Sequence, residues 1–433
     1  MVSPLNRIGS RETGHLTAGM SIAVILMTAL LASSCGDGSP TGPGGEIEGL
    51  PRELSLAEEM LVEAGNGFAF RFLDQVWSEA PDSNLFIAPL SASLALGMTM
   101  NGAAGNTFEQ MRTTLGFGSM SLAEINQGYR DLIDLLRALD VRVEVGIGNS
   151  IWYRQGFPVR QDFIGRAEEN FDAVIREMDF SAPGAAGIIN DWVDDQTRGK
   201  IKEIVEAPVD PLTVMFLINA IYFKGDWTHR FDKDKTAPAP FYGVRQSGAD
   251  IPLMELSDTL PYAEREEYQV VDLPYGGKAF SMTVLLPKAG HSMMEILDSL
   301  GPQEWSQLIG SLQRKEGTVY LPRFRMEWER ILNKTLMAMG MPDAFTGGLA
   351  DFTGLSDEAL QRGLYISKVK QKTYVDVDEK GTEAAGVTSV EIRETSIPDR
   401  FSFRADRPFL FLIRERFSET ILFVGILVEP PEA

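Results

Sequence analysis

Cysteine occurs once in 433 residues, at Cys35, and histidine three times, at His15, His229 and His291. A single thiol cannot form an intramolecular disulfide, and a closed zinc site would need nearly all four of these side chains to converge. Packing and hydrogen bonds must therefore hold the fold, and neither a metal nor a cofactor is expected. Basic residues are scarce too: 40 Lys and Arg stand against 61 Asp and Glu, a formal net charge of −21. Such a surface repels phosphate backbones, which argues against nucleic acid as a partner. No G-x-S-x-G elbow and no H-E-x-x-H motif occurs, so the chain is not expected to be an enzyme.

The chain also lacks an apolar run of membrane-spanning length. The run from Met20 to Leu31 has 12 residues, short of the ~20 that a permanent spanning helix needs. Arg7 and Arg11 precede it and Ala32-Ser33-Ser34-Cys35 follow. Basic, then apolar, then small residues is the order of a secretory signal. The cysteine after small residues resembles a bacterial lipoprotein cleavage box. That resemblance implies a signal peptide over 1–35, lipidation of Cys35, and a secreted protein held to the bacterial cell envelope on its periplasmic or cell-surface side. An ordinary signal peptide that happens to contain a cysteine is the alternative. Residues 36–53, rich in glycine and proline, read as a flexible linker. Residues 54–433 remain as a single domain.

Within that domain, helical spacing runs through Leu54–Trp77, Ser91–Leu115 with a break near Asn101-Gly102, and Leu122–Leu139. Phe163–Phe171, Ile188–Thr197 and Ile331–Met339 are shorter helical candidates. Thr213–Phe223 is almost wholly apolar, as a strand covered on both faces would be. Phe280–Leu286, Thr318–Leu321, Tyr365–Asp378, Pro408–Ile413 and Ile421–Val428 have a similar character. Helices gather early and strands late without regular alternation, which indicates an α+β fold with more than one sheet.

The segment Asp378-Glu379-Lys380-Gly381-Thr382-Glu383-Ala384-Ala385-Gly386 resembles the hinge of an inhibitory serpin's reactive-centre loop. Other blocks agree in order: Ser83–Ser91, Ile189–Val193 with Thr197–Ile201, Asn219–Trp227, Tyr320–Phe324 and Arg407–Phe411. The resemblance covers nearly all of Leu54 to Pro430. It implies a serpin fold of three β-sheets with eight or nine helices and an exposed loop over about 379–402. It also implies irreversible suicide inhibition of serine proteases. A protease cuts the loop and is held as an acyl-enzyme while the loop inserts into the central sheet, releasing stored strain.

The family pattern assigns Glu379, Gly381, Thr382, Ala384, Ala385 and Gly386 to the hinge. Alternation along an inserted strand would turn Thr382, Ala384, Gly386, Thr388 and Val390 inward, with Glu383 and Glu391 outward. Spacing from Glu379 places the bait bond at Thr395-Ser396, with Arg393-Glu394 as the alternative. The expected partner is a serine protease of trypsin-like, elastase-like or subtilisin-like specificity, met by a monomer. Asn84, Ser91, Asn219, Trp227 and Gln371 fall where the family has residues that gate the central sheet. Ala88 and Gln371 depart from a serine and a histidine common among relatives. The competing reading is a non-inhibitory serpin-fold binding or structural protein at the cell surface.

Overall fold

The computed structural model describes residues 45–245, 247–382 and 400–430. The proposed signal, Cys35, and loop residues Ala384, Ala385, Gly386, Arg393, Glu394, Thr395 and Ser396 lie outside them.

Nine α-helices are present among the described residues: α1 (Leu56–Glu79), α2 (Pro89–Met100), α3 (Gly105–Leu115), α4 (Leu122–Ala138), α5 (Gln161–Phe171), α6 (Ala185–Gln196), α7 (Met293–Asp298), α8 (Pro302–Gly310) and α9 (Asn333–Ala338). Serine followed three residues later by glutamate starts three of them. Ser55 with Glu58, Ser121 with Glu124 and Ser292 with Glu295 each form a reciprocal capping box. The expected break at Asn101-Gly102 separates α2 from α3. Gly102 approaches Leu355 so closely that a Cβ there would lie 2.8 Å from the leucine Cβ.

The strands in chain order are β1 (Leu85–Ile87), β2 (Val143–Arg154), β3 (Ala173–Met178), β4 (Met215–Asp226), β5 (Asp232–Tyr242), β6 (Ser247–Glu264), β7 (Tyr268–Tyr275) and β8 (Phe280–Pro287). They continue as β9 (Gln313–Pro322), β10 (Phe324–Ile331), β11 (Lys370–Val377), β12 (Gly381–Thr382), β13 (Phe401–Arg404), β14 (Phe409–Glu415) and β15 (Ile421–Leu427). One sheet has the order β10-β11-β12-β4-β2-β3. The other joins nine strands, with β14, β15 and β8 buried along their whole length. The three sheets implied by the resemblance form two hydrogen-bonded ladders here. The reason is β6, which pairs with β5 and β9 along most of its length and with β7 at its end.

The main core lies between the two sheets and under α1, α2 and α4. Phe86, Phe411 and Phe423 stack at its centre. A second, smaller core seats α6 on the outer face of β2 and β4 through Trp152, Ile189, Val193 and Ile218.

The linker expectation needs one correction. Residues 45–47, assigned to a flexible spacer, are docked on the body. The Ile47 amide donates to the Gly277 carbonyl at 2.7 Å, and Arg142 donates to the Gly45 carbonyl at 2.8 Å. Ile47, the apolar residue in this stretch, finds a surface to pack against.

Candidate functional site

The site is the seam between β11 and β4. In β11, residues alternate between half-buried and buried, so Gln371, Thr373, Val375 and Val377 face the core. After Val377 the chain reverses within four residues. The Asp378 carboxylate accepts from the amides of Lys380 and Gly381, and the Asp378 amide donates to the Gly381 carbonyl. The reversal delivers Gly381 and Thr382 as a two-residue strand wedged into the sheet. Thr382 lies opposite Val377 on one side and Gly225 on the other.

Each wedge residue fits a specific space. A Cβ on Gly381 would fall 2.2 Å from the Gly225 carbonyl oxygen, so only glycine can lie this close to β4. Thr382 is buried, and its hydroxyl shares a hydrogen bond with the Tyr275 hydroxyl at 2.8 Å. Burial pushes the Tyr275 phenol far above its usual range, so it remains a neutral donor and acceptor. Gly225 in turn admits the Tyr275 ring, which a Cβ would meet at 3.0 Å.

Trp227 closes the mouth of the seam. Its ring stacks on Tyr275 with centroids 4.4 Å apart, and its indole nitrogen donates to the Asp378 carbonyl at 2.9 Å. Its amide donates to the Lys380 carbonyl at 2.7 Å. Glu379 is buried beside it, accepting from the Thr236 hydroxyl at 2.8 Å, with the Arg323 guanidinium 3.6 Å away.

Beyond Thr382, among the described residues, β11 and β4 do not pair with each other. A small cavity of about 20 Å³ lies in the seam, lined by Phe86, Ile221 and Phe223 on the core side and by Tyr222, Tyr374 and Lys200 on the α6 side. Lys200 sits 5.0 Å from the centroid of the Tyr374 ring, across the outer opening.

Further along, the strands are held differently on the two sides. Gln371 accepts from the Ala88 amide at 3.1 Å and donates to the Ala88 carbonyl at 2.9 Å. Thr373 donates to the Phe86 carbonyl. The β10–β11 edge is thereby tied to β1 and the start of α2, where Ser91 is buried in the first turn. On the other side Asn219 donates to Asn149 at 2.8 Å, and Asn149 donates to the Phe171 carbonyl at 2.6 Å. The Asn219 Oδ1 is buried and has no hydrogen-bond partner among the described residues.

Asn84 does not belong to this group. Its Oδ1 accepts from the Val428 and Glu429 amides, and its nitrogen donates to the Glu429 carbonyl. It precedes β1, which pairs with β15, so its amide meets the backbone leaving β15 and fixes that end of the larger sheet. The residues that sequence reasoning missed are Tyr275, Thr236, Arg323 and Asn149. None carries a local signal, because each acts through a partner distant in the chain.

The family model for serpins, described as serine protease inhibitors, matches residues 63–430. The chain belongs to the serpin family. Curated serpins similar to it include Iripin-3 of Ixodes ricinus, 34% identical over 85% of this chain and 94% of the relative. The leukocyte elastase inhibitor of Equus caballus is 34% identical over 86% of this chain and 100% of its own length. Among solved serpins, native tengpin, described as thermophilic, superposes with a TM-score of 0.78 at 30% identity, covering 87% of this chain and 95% of that one. Thyroxine-binding globulin in complex with thyroxine gives a TM-score of 0.77 at 28% identity, covering 86% of this chain and 100% of that one. The α+β serpin fold expected from the sequence is the fold observed.

Proposed function

We propose that this serpin is a suicide inhibitor of serine proteases, with the loop after Thr382 as bait. A single observation carries the reading: Thr382 already lies between β11 and β4, which among the described residues pair with β12 and not with each other. A loop cut beyond the hinge needs only to continue the strand that β12 begins. Each added residue would gain backbone hydrogen bonds of ~1 kcal/mol net, and alternate side chains would gain burial. About a dozen residues would contribute on the order of 10 kcal/mol, less the entropy of ordering them. The native form then persists because of a barrier, and trapping is a race between insertion and ester hydrolysis.

The bait bond we favour is Thr395-Ser396, then Arg393-Glu394, which suit elastase-like or subtilisin-like and trypsin-like enzymes respectively. The protein acts as a monomer outside the cytoplasm, held to a bacterial envelope through a lipid on Cys35. Among the described residues no helix is long and apolar enough to cross a membrane, so this anchorage rests on the N-terminal segment alone.

Incubation with trypsin, elastase and subtilisin followed by denaturing electrophoresis tests the function. Inhibition yields a denaturant-resistant covalent complex with at least one of them. Clipping with no complex from any of the three would favour a non-inhibitory binding protein, the reading that the likeness to thyroxine-binding globulin supports.

A further inference from the structure

We infer that the loop 209–213, with Leu212 exposed upon it, is the surface against which the captured protease is pressed. The inference rests on the insertion reading above and adds to it the residue that meets the enzyme.

The register of the seam sets where an inserted loop would end. Thr382 lies opposite Gly225 on β4, and the two strands are antiparallel. Continued residue by residue, this pairing brings Ile392 opposite Met215, the first residue of β4. Three more residues reach Thr395, about 10 Å of extended chain. Arg393, the alternative, comes one residue past the end of the strand. With either bond the acyl ester emerges where the sheet stops. The protease is joined to that ester through its active-site serine, so the rim of its cleft meets whatever stands there.

Loop 209–213 stands there, and it is pinned. The Arg154 amide, at the end of β2, donates to the Val214 carbonyl at 2.8 Å. The Arg154 guanidinium donates to the Thr213 carbonyl at 2.9 Å, the Pro211 carbonyl at 3.0 Å and the Asp210 carbonyl at 3.4 Å. The Asp210 carboxylate accepts from the Leu212 amide at 2.8 Å, and the Thr213 amide donates to the Asp210 carbonyl at 2.9 Å. Arg154 is itself seated over the ring of Phe180, a member of the smaller core. Leu212 nevertheless remains 87% exposed.

A leucine on a yielding loop would fold away from an arriving body, whereas one on a buttressed turn resists it. Covering Leu212 gains apolar burial only in the trapped complex. The same contact opposes return of the cleft to its working shape, and displacing catalytic groups by ~1 Å costs about a hundredfold in rate. Loop 209–213 thereby slows attack of water on the ester, the step that would free the serine and leave a carboxylate on the cut loop.

The test compares the full chain with Leu212→Asp, Leu212→Gly, Arg154→Lys and, as a control, Val141→Asp. Val141 is also 87% exposed, but it precedes Val143, which pairs with Gly225 at the mouth of the seam. Complex with a protease that the parent traps is isolated, and return of protease activity is followed. Both Leu212 variants are expected to release active protease about tenfold faster, the rate equivalent of losing a partly buried leucine. Arg154→Lys, which keeps the leucine on a looser loop, is expected to fall between them and the parent, and Val141→Asp to match the parent. Equal release from all chains, or equal acceleration by Val141→Asp, would overturn the docking surface and leave the inhibitor reading intact. Failure of the parent to trap any protease would overturn both.

Discussion

The hydroxyl of Thr382 lies 2.8 Å from the hydroxyl of Tyr275, in a part of the core closed to solvent. Thr382, where the proposed bait loop begins, is thus already buried. Thr382→Arg would force a charge into a pocket built for a hydroxyl, costing several kcal/mol unless the wedge is expelled. The expected result is a chain that proteases still cut at an unchanged bond but that forms little covalent complex. Tyr275→Phe, which loses only the shared bond, should lower stability by about 1 kcal/mol. Denaturing electrophoresis reads the first and urea titration the second.

Gly381→Ala tests the wedge from its other side. The added Cβ would strike the Gly225 carbonyl, so β12 must leave the sheet or β4 must shift. Overpacking of this kind costs roughly 1–3 kcal/mol. A lower melting temperature is expected, with faster amide exchange at Thr382.

Gln371 and Asn219 stand at one level across the seam, each six residues behind the positions flanking Thr382. An inserted strand continuing from Thr382 would bring Thr388 between them, inward-facing, next to the Asn219 Oδ1, which has no partner among the described residues. Thr388→Val should leave the native form unchanged and lower the stability of the loop-cleaved form by about 1 kcal/mol. Because Gln371 does not titrate, complex formation is expected to show no step between pH 5 and 7 attributable to this position. Gln371→His should introduce one.

Asp272 supplies a separate pH dependence. Burial alone would raise its pKa, but the Arg414 and Arg416 guanidiniums and the Thr283 hydroxyl outweigh it and hold the carboxyl below its usual range. A carboxyl depressed in the folded state stabilises fully above its unfolded value of about 3.9, and that contribution disappears as pH falls through the folded value. Asp272→Asn should therefore cost about 3–5 kcal/mol at neutral pH by leaving Arg414 buried beside a neutral group. The gap between variant and parent should close in acid, which thermal melts across pH 2–7 would record.

Helices α1 to α5 were legible in the sequence; α4 and α5 carry a clear apolar stripe toward the core, whereas α2 is buried on nearly all sides. Several strands were not. β2 carries Gly146, Gly148 and Asn149 within its span, and β5 is mostly exposed with two prolines, so neither has the apolar signature of β4. The segment Asp378 to Thr382, read as part of a hinge from its resemblance, was legible as a pattern before it had a place in the sheet. Its receptor was not: Tyr275 lies 107 positions from Thr382 and acquires its role only when β7 meets β4. Asn84 misled for a related reason. A half-buried asparagine satisfying backbone groups looks the same in sequence whether the strand beside it slides or stays.

The measurement closest to the central claim is the melting temperature before and after a single cut between Glu383 and Asp399. If the freed segment extends β12 between β11 and β4, the cut chain should melt on the order of 10–20 °C higher than the intact one. A cut chain that melts at or below the intact temperature would contradict the account.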